Sequence, residues 1–247
     1  VIEFIDIHKA FGAQRVLDGV SITVSTGRIV FIIGKSGAGK SVLVKHLVGL
    51  IRQDSGRIRF EGEDITDFTE AQFFALRKRC AMVFQHSTLF DSMTLLENVA
   101  LPIRKHLGLK QPEALAAARE KLALVNMDTM ADRWPAEVGD GLRKRVAIAR
   151  ALTLSPEYVV FDEPTTGLDP VNAVRVDRLI REMSDRTGVT SVVVSHDLRS
   201  IFGIADRIVM LYQGKVRLDG TRGEFLASED PVVRQFVRGE VEGPMEL

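Results

Sequence analysis

The segment Gly34-Lys-Ser-Gly-Ala-Gly-Lys-Ser41 spaces its glycines, a lysine and a serine as G-x-x-x-x-G-K-[ST], an arrangement suited to gripping a chain of phosphates. Glycines leave room for backbone N–H groups to close around phosphate oxygens, where side chains would obstruct them. The expected cradle comprises Gly34, Ser36, Gly37, Ala38, Gly39, Lys40, Ser41 and Val42. Lys40 is placed to reach the β- and γ-phosphates and Ser41 to offer its hydroxyl to Mg²⁺, while the following helix adds its positive dipole end. A glycine-rich turn with a chance lysine is the plain alternative. The apolar run before the loop and the helical spacing after it disfavour that alternative.

A second chemical element is Tyr158-Val-Val-Phe-Asp-Glu163, an apolar run ending in two carboxylates. Ligands bind at the C-terminal ends of strands in open α/β sheets. Asp162 is expected to hold Mg²⁺ through water, and Glu163 to orient the attacking water or accept its proton. Taken alone, an Asp-Glu pair closing a strand could be a solvated turn. His196 follows the apolar run Ser191 to Ser195 and is positioned to reach a γ-phosphate or the attacking water, although a lone histidine there is usually a cap or a surface residue. Gln85 after Ala81 to Phe84 is weak by itself, because a loop glutamine is most often solvated.

These residues need elements to hold them. Alternation through Val1 to Ile7 and Val16 to Val24, with Phe11-Gly-Ala-Gln14 between, predicts a small antiparallel sheet. The continuous run Ile29 to Ile33 predicts a buried strand leading into the glycine loop, and Val42 to Leu50 has helical apolar spacing. From about Ser92 to Ser155 the pattern is mainly helical, clearest by propensity over 113 to 122. Strands return at Tyr158 to Phe161, Ser191 to Val194 and Arg207 to Leu211, with helices at 171 to 184 and 197 to 204. The expected class is α/β, with a mostly parallel sheet, an N-terminal antiparallel β-subdomain and a helical insertion. The expected layout of 1–247 is a single domain whose core is 1–91 and 156–226, whose helical insertion is 92–155, and whose tail is 227–247.

Composition excludes several classes. The chain has 247 residues, 45% hydrophobic and 27% charged, with lysine plus arginine and aspartate plus glutamate both 33. Zero net charge leaves no footprint for nucleic acid or anionic lipid. Runs such as Ile29 to Ile33 fall far short of the roughly 20 residues a spanning helix requires. The first residues alternate like a strand and lack the pattern of a secretory signal. The single cysteine, Cys80, cannot form an internal disulfide. Both features point to a reducing cytoplasm.

In this order the motifs resemble the ATP-binding subunits of ABC transporters: Walker A at 34–41, Gln85 as the Q-loop glutamine, a signature region at 138–142, Walker B at 158–163, the D-loop Gly167-Leu-Asp169 and a switch histidine at His196. The resemblance covers almost the whole chain, and Arg143-Lys-Arg-Val-Ala-Ile-Ala-Arg-Ala-Leu152 looks like the helix after the family's signature. It implies a P-loop NTPase (RecA-like) core that hydrolyses ATP with Mg²⁺. Catalysis then falls to Lys40, Gln85, Glu163 and His196, and the metal to Ser41, Gln85 and Asp162. Phe11 stands where the family stacks an aromatic on adenine, packing under the first hairpin being the alternative. It also implies a head-to-tail dimer of ATPase subunits in which Gly139, Asp140, Gly141 and Asp169 face the other subunit's nucleotide. Residues about 86 to 105 would contact a transmembrane partner, with subdomain core as the other reading for Leu89, Phe90 and Met93.

A narrower resemblance, carried by Ser41 to Leu50, by Leu89 to Pro102 and by Asp230-Pro-Val-Val-Arg-Gln-Phe-Val, is to the ATPases of Mla/Mkl-type phospholipid transporters. It implies an MlaE-like permease, an MlaD-like lipid-binding protein and, in some systems, a small MlaB-like subunit. The ATPase would then lie peripherally on the cytoplasmic face of the inner membrane, its tail helping to hold two ATPase subunits together. A small-solute importer uses the same chemistry. Against a translation or repair ATPase, the chain has neither tandem cassettes nor a long coiled coil; against a metabolic kinase stand Gln85, the D-loop and His196 in family order.

One stretch departs from the family. Where Leu-Ser-Gly-Gly is usual, the chain has Val138-Gly-Asp-Gly-Leu142. The serine hydroxyl is gone and Asp140 could face a terminal phosphate. Like unit charges about 4 Å apart repel by roughly 4 kcal/mol at an effective dielectric of about 20. Three outcomes are open: Asp140 turns away and caps a helix starting near Gly141; one of Arg143, Lys144 or Arg145 neutralises it, though a basic run is usually a solvated face; or the site is weakened.

Overall fold

The computed structural model describes residues 1–245. Strands β1 (Ile2–Phe11) and β2 (Gln14–Val24) pair antiparallel, with Ile2 opposite Val24 and Phe4 opposite Ile22. Their inward side chains are buried, as the alternation requires. Strand β3 (Ile29–Ile33) is buried along its whole length because it lies between two parallel neighbours, which explains its unbroken apolar run. The chain then passes through the glycine loop into helix α1 (Lys40–Leu47). Gly34 is obligatory there: at φ 144 a Cβ would lie 2.3 Å from the Leu211 carbonyl oxygen.

Strands β4 (Ser55–Phe60) and β5 (Glu63–Asp64) extend the first sheet to the order β2-β1-β4-β5. Helix α2 (Glu70–Arg79) starts from a Thr69/Gln72 capping box and runs into β6 (Cys80–Val83). Burial pushes the Cys80 thiol up to about 12, so it stays inert.

Helices α3 (Leu95–Leu107), α4 (Gln111–Leu124) and α5 (Asp140–Ala151) form a layer whose apolar stripes meet at Leu96, Val99, Ala118, Leu122 and Ile148. The buried Asn98 side chain on α3 holds the segment ahead of that helix: it accepts from Phe90 N–H at 2.7 Å and donates to the carbonyls of Phe90, Met93 and Thr94. Within the same stretch Leu89 is packed against the core, whereas Phe90 is exposed.

The second half alternates β7 (Tyr158–Asp162), α6 (Pro170–Thr187), β8 (Thr190–Val194), α7 (Leu198–Ile204), β9 (Arg207–Tyr212) and β10 (Lys215–Gly220). The resulting sheet has the order β10-β9-β3-β8-β7-β6. All neighbours in it are parallel except β10, which runs antiparallel to β9. Its two faces feed two cores. Val159 and Phe161 pack with the helical layer, while Val160 and Val192 pack with α1 and the antiparallel sheet.

Helix α8 (Arg222–Ala227) and helix α9 (Pro231–Arg238) close the chain. Asp230 caps α9 through bonds from the Val232 and Val233 amides and pairs with Arg217 at 2.6 Å. Residues before Glu246 in the tail are fastened by Gln235, whose Oε1 accepts from Met245 N–H at 2.7 Å, and by Tyr212, whose hydroxyl donates to Pro244 O at 3.0 Å. The last positions of the expected tail, 246 and 247, lie outside the described residues.

Candidate active site

Register places the chemistry. Ile32 on β3 lies beside Val194 on β8, and Val194 lies beside Asp162 on β7. The glycine loop after β3, the carboxylates ending β7 and His196 after β8 therefore share one end of three adjacent strands. A cavity of about 660 Å³ opens there, lined by residues 35–42, Gln85, Glu163, His196, Phe11, Gln14, Val16 and Phe236.

Lys40 is 6% exposed and donates to the carbonyl oxygens of Gly34 at 2.8 Å and Lys35 at 3.0 Å, with Glu163 Oε1 at 4.0 Å. Burial lowers its pKa, and the charges of Glu163 and Asp162 oppose that shift. Ser41 Oγ donates to Asp162 Oδ1 at 2.5 Å, and Lys45 Nζ stands 4.0 Å from Asp162 Oδ2. This hydroxyl and carboxylate are hard oxygen donors of the kind Mg²⁺ prefers, and Gln85 lines the cavity with Ser41. Among the described residues no group of three or more His, Cys, Asp or Glu is placed to hold a metal.

Glu163 has φ 52, a left-handed backbone that is strained for a side chain of this kind. Its surroundings hold it there. Its N–H donates to Val194 O at 2.9 Å, Thr166 Oγ1 donates to Oε2 at 2.9 Å, and His196 Nδ1 stands 2.9 Å from Oε2. The His196 side chain is 58% exposed, so one nitrogen is tied to Glu163 while much of the ring faces the open cavity. Phe11 is 49% exposed at the edge of the same cavity, with Lys9 Nζ 5.3 Å from its ring centre. It is not packed under the hairpin.

Gly139, Asp140, Gly141 and Asp169 are brought together elsewhere, around a second cavity of about 580 Å³ shared with Asn172 and Arg175. None of them lines the P-loop cavity of their own chain. Asp140 is neutralised within its own helix: its Oδ1 accepts from Arg143 Nη2 at 2.5 Å and Nε at 3.2 Å. The guanidinium holds the Asp140 carboxyl below the usual carboxylate range. Helix α5 starts at Asp140, with Gly139 as its N-cap, and the Asp140 side chain makes no cap bond. Asp169 instead caps α6, accepting from the amides of Val171 at 3.0 Å and Asn172 at 3.1 Å.

The basic run after the signature is not a solvated face. Lys144 is 3% exposed, and burial brings its pKa down to about 8. Arg145 donates to the carbonyls of Val125 and Asn126. The signal for Lys144 was present in its spacing, since it falls between Gly141 and Ile148 on the buried face of α5. Thr166 and Phe236 carry no comparable sequence signal, because each reaches the site through tertiary packing.

Comparison with known proteins agrees with this geometry. Residues 17–166 match the family described as ABC transporter. The chain belongs to the ABC transporter family and is an ATP-hydrolysing cassette of it. It is 37% identical over 245 residues to the intermembrane phospholipid transport system ATP-binding protein MlaF of Escherichia coli strain K12, covering 99% of this chain and 91% of that protein. It is 36% identical over 244 residues to the probable ribonucleotide transport ATP-binding protein mkl of Mycobacterium tuberculosis strain H37Rv, covering 99% and 68%. The methionine import ATP-binding protein MetN of Rhizobium etli is 40% identical over 241 residues, covering 98% and 66%. Among solved structures, the dimeric post-hydrolysis state of the cassette MJ0796 bound to ADP and Pi superposes with a TM-score of 0.82 at 28% identity, covering 90% and 98%. Among the described residues no helix is long and apolar enough to cross a membrane.

Proposed function

We propose that this ATPase powers phospholipid transport, working as a head-to-tail dimer under an MlaE-like permease at the cytoplasmic face of the inner membrane. The observation that carries the lipid reading is the match to MlaF along 99% of this chain and 91% of that one. An MlaD-like lipid-binding protein and an MlaB-like small subunit complete the proposed assembly. Residues 92–155 form its helical subdomain and the tail from 227 a contact between ATPase subunits. The 40% identity to MetN supports a second reading, a small-solute importer with the same catalytic machinery.

In the proposed mechanism Lys40 leaves the Gly34 and Lys35 carbonyls to engage the β- and γ-phosphates, and the loop amides close around them. Ser41, Asp162 and Gln85 would hold Mg²⁺, which when bound neutralises developing phosphate charge. Phe11 stacks on the base. Glu163 accepts a proton from the attacking water, and His196, fixed at 2.9 Å from Glu163, orients that water and the γ-phosphate. The second cavity, with Gly139 to Gly141 and Asp169, meets the nucleotide bound to the partner subunit.

The test is affinity purification of the tagged chain from detergent-solubilised native membranes, with mass spectrometry of copurifying proteins and lipid. The lipid reading expects an MlaE-like permease, an MlaD-like protein and bound phospholipid. Recovery of a solute-importer permease without lipid would replace it with the importer reading.

A further inference from the structure

The helix that opens with the signature reaches back into the core through two cationic side chains. Lys144 Nζ donates to Phe84 O at 3.2 Å and to Gln85 O. Further along α5, Arg150 donates to Thr88 O at 2.9 Å, Ser87 O at 3.2 Å and Thr88 Oγ1 at 3.0 Å. The carbonyls of residues 84, 85, 87 and 88 are thus all taken by one helix. The loop they belong to follows β6, on the sheet, whereas α5 belongs to the helical layer.

Two features make this more than incidental packing. Among the described residues no carboxylate lies within ion-pair distance of Lys144, although its ammonium is almost fully buried. A buried charge held only by carbonyls is costly, so a role for those particular bonds explains its presence better than packing does. Thr88 is β-branched yet sits at φ 47, an unfavourable conformation that Arg150 pins from both the carbonyl and the hydroxyl.

We propose that Lys144 and Arg150 are positioning residues that lock the Gln85 loop to the signature helix, so that movement of Gln85 in one nucleotide site is carried to the signature face of the other. This rests on the head-to-tail dimer reading above. Gln85 lines the P-loop cavity, and Gly139 to Gly141 at the N-terminal end of α5 line the second cavity. A regular helix anchored near its start and near its end transmits a displacement without pivoting. The linkage makes ATP occupancy of the two sites interdependent, and because it acts through backbone carbonyls it should alter cooperativity and turnover more than nucleotide affinity.

The experiment measures ATP hydrolysis against ATP concentration in the membrane complex recovered with the tagged chain, for wild type, Lys144→Met, Lys144→Arg and Arg150→Lys. Binding of a fluorescent ATP analogue and the melting temperature are recorded for each. Wild type is expected to show a Hill coefficient well above one. Lys144→Met should bring it to about one and lower kcat about tenfold, with the analogue's dissociation constant within about twofold of wild type. Lys144→Arg should restore cooperativity, and Arg150→Lys, which keeps the charge but loses the fork, should reduce it partway. If Lys144→Met does not fold, Arg150→Lys decides by the same readout. A cooperative wild type with equally cooperative variants overturns the linkage alone. A non-cooperative wild type overturns the dimer reading and the linkage with it.

Discussion

Nδ1 of His196 lies 2.9 Å from Oε2 of Glu163, and the two residues leave the ends of the adjacent parallel strands β8 and β7. The contact joins the motif after one strand to the motif after the other, and it turns the Glu163 carboxylate toward the cavity that Lys40 and Ser41 also line. His196→Ala removes this partner and leaves Thr166 as the remaining side-chain bond to Glu163. The expected result is a fall in kcat of about a hundredfold with little change in ATP affinity, read by steady-state hydrolysis alongside nucleotide binding.

The Ser41–Asp162 bond of 2.5 Å predicts a dependence on divalent cation. Chelation with EDTA should abolish hydrolysis, and Ser41→Ala should raise the Mg²⁺ concentration for half-maximal rate about tenfold, the loss of one ligand. A titration of activity with Mg²⁺ at saturating ATP checks both.

The altered signature yields a prediction with two arms. Because Arg143 already neutralises Asp140, Gly139→Ser with Asp140→Gly should accelerate hydrolysis, by about tenfold, through the restored hydroxyl and the closer approach of backbone N–H groups. Arg143→Gln should slow it by a similar factor, because Asp140 then meets a phosphate uncompensated. Unchanged turnover in both variants would remove the signature from the site.

Asp177 supplies a pH signature of stability. It is buried on α6, accepts a bond from Ser200 Oγ at 2.8 Å and leaves Oδ1 without a partner, and burial raises its pKa to about 6. Its ionised form is disfavoured in the folded chain. The penalty is absent below about pH 4, where folded and unfolded chains are both protonated, grows as pH rises, and is complete above about pH 6. Asp177→Asn should therefore stabilise the protein at pH 8 by up to about 3 kcal/mol and bring no comparable gain at pH 4. Thermal melts of both proteins across that range check the sign.

Much of this architecture was legible in the sequence where one interaction dominates. Ile29 to Ile33 could only be a strand buried on both faces, and that is what β3 is. Helix α4 extends the high-propensity stretch at 113–122 to 111–124. The segment between α1 and β6 was not legible. In β4, Arg57 and Arg59 face solvent and only Ile58 and Phe60 are buried, while α2 buries just Phe73 and Leu76, too few apolar residues to set a period. The same limit applied at the site. Motif spacing pointed to Lys40, Ser41, Asp162 and Glu163, and the family resemblance added His196; the structure gathers all five at one end of the sheet. Spacing could not choose among three partners for Asp140, because that choice depends on where α5 begins and which face it buries. Lys144 was masked by its two basic neighbours, whose side chains leave the helix in other directions.

The most direct test of the account is Glu163→Gln, which preserves shape and removes the proton acceptor. Hydrolysis should fall at least a hundredfold while MgATP remains bound and the chain accumulates as a nucleotide-sandwiched dimer, measured by phosphate release together with light scattering. Turnover within about threefold of wild type would contradict the assignment of this cleft as the hydrolytic site.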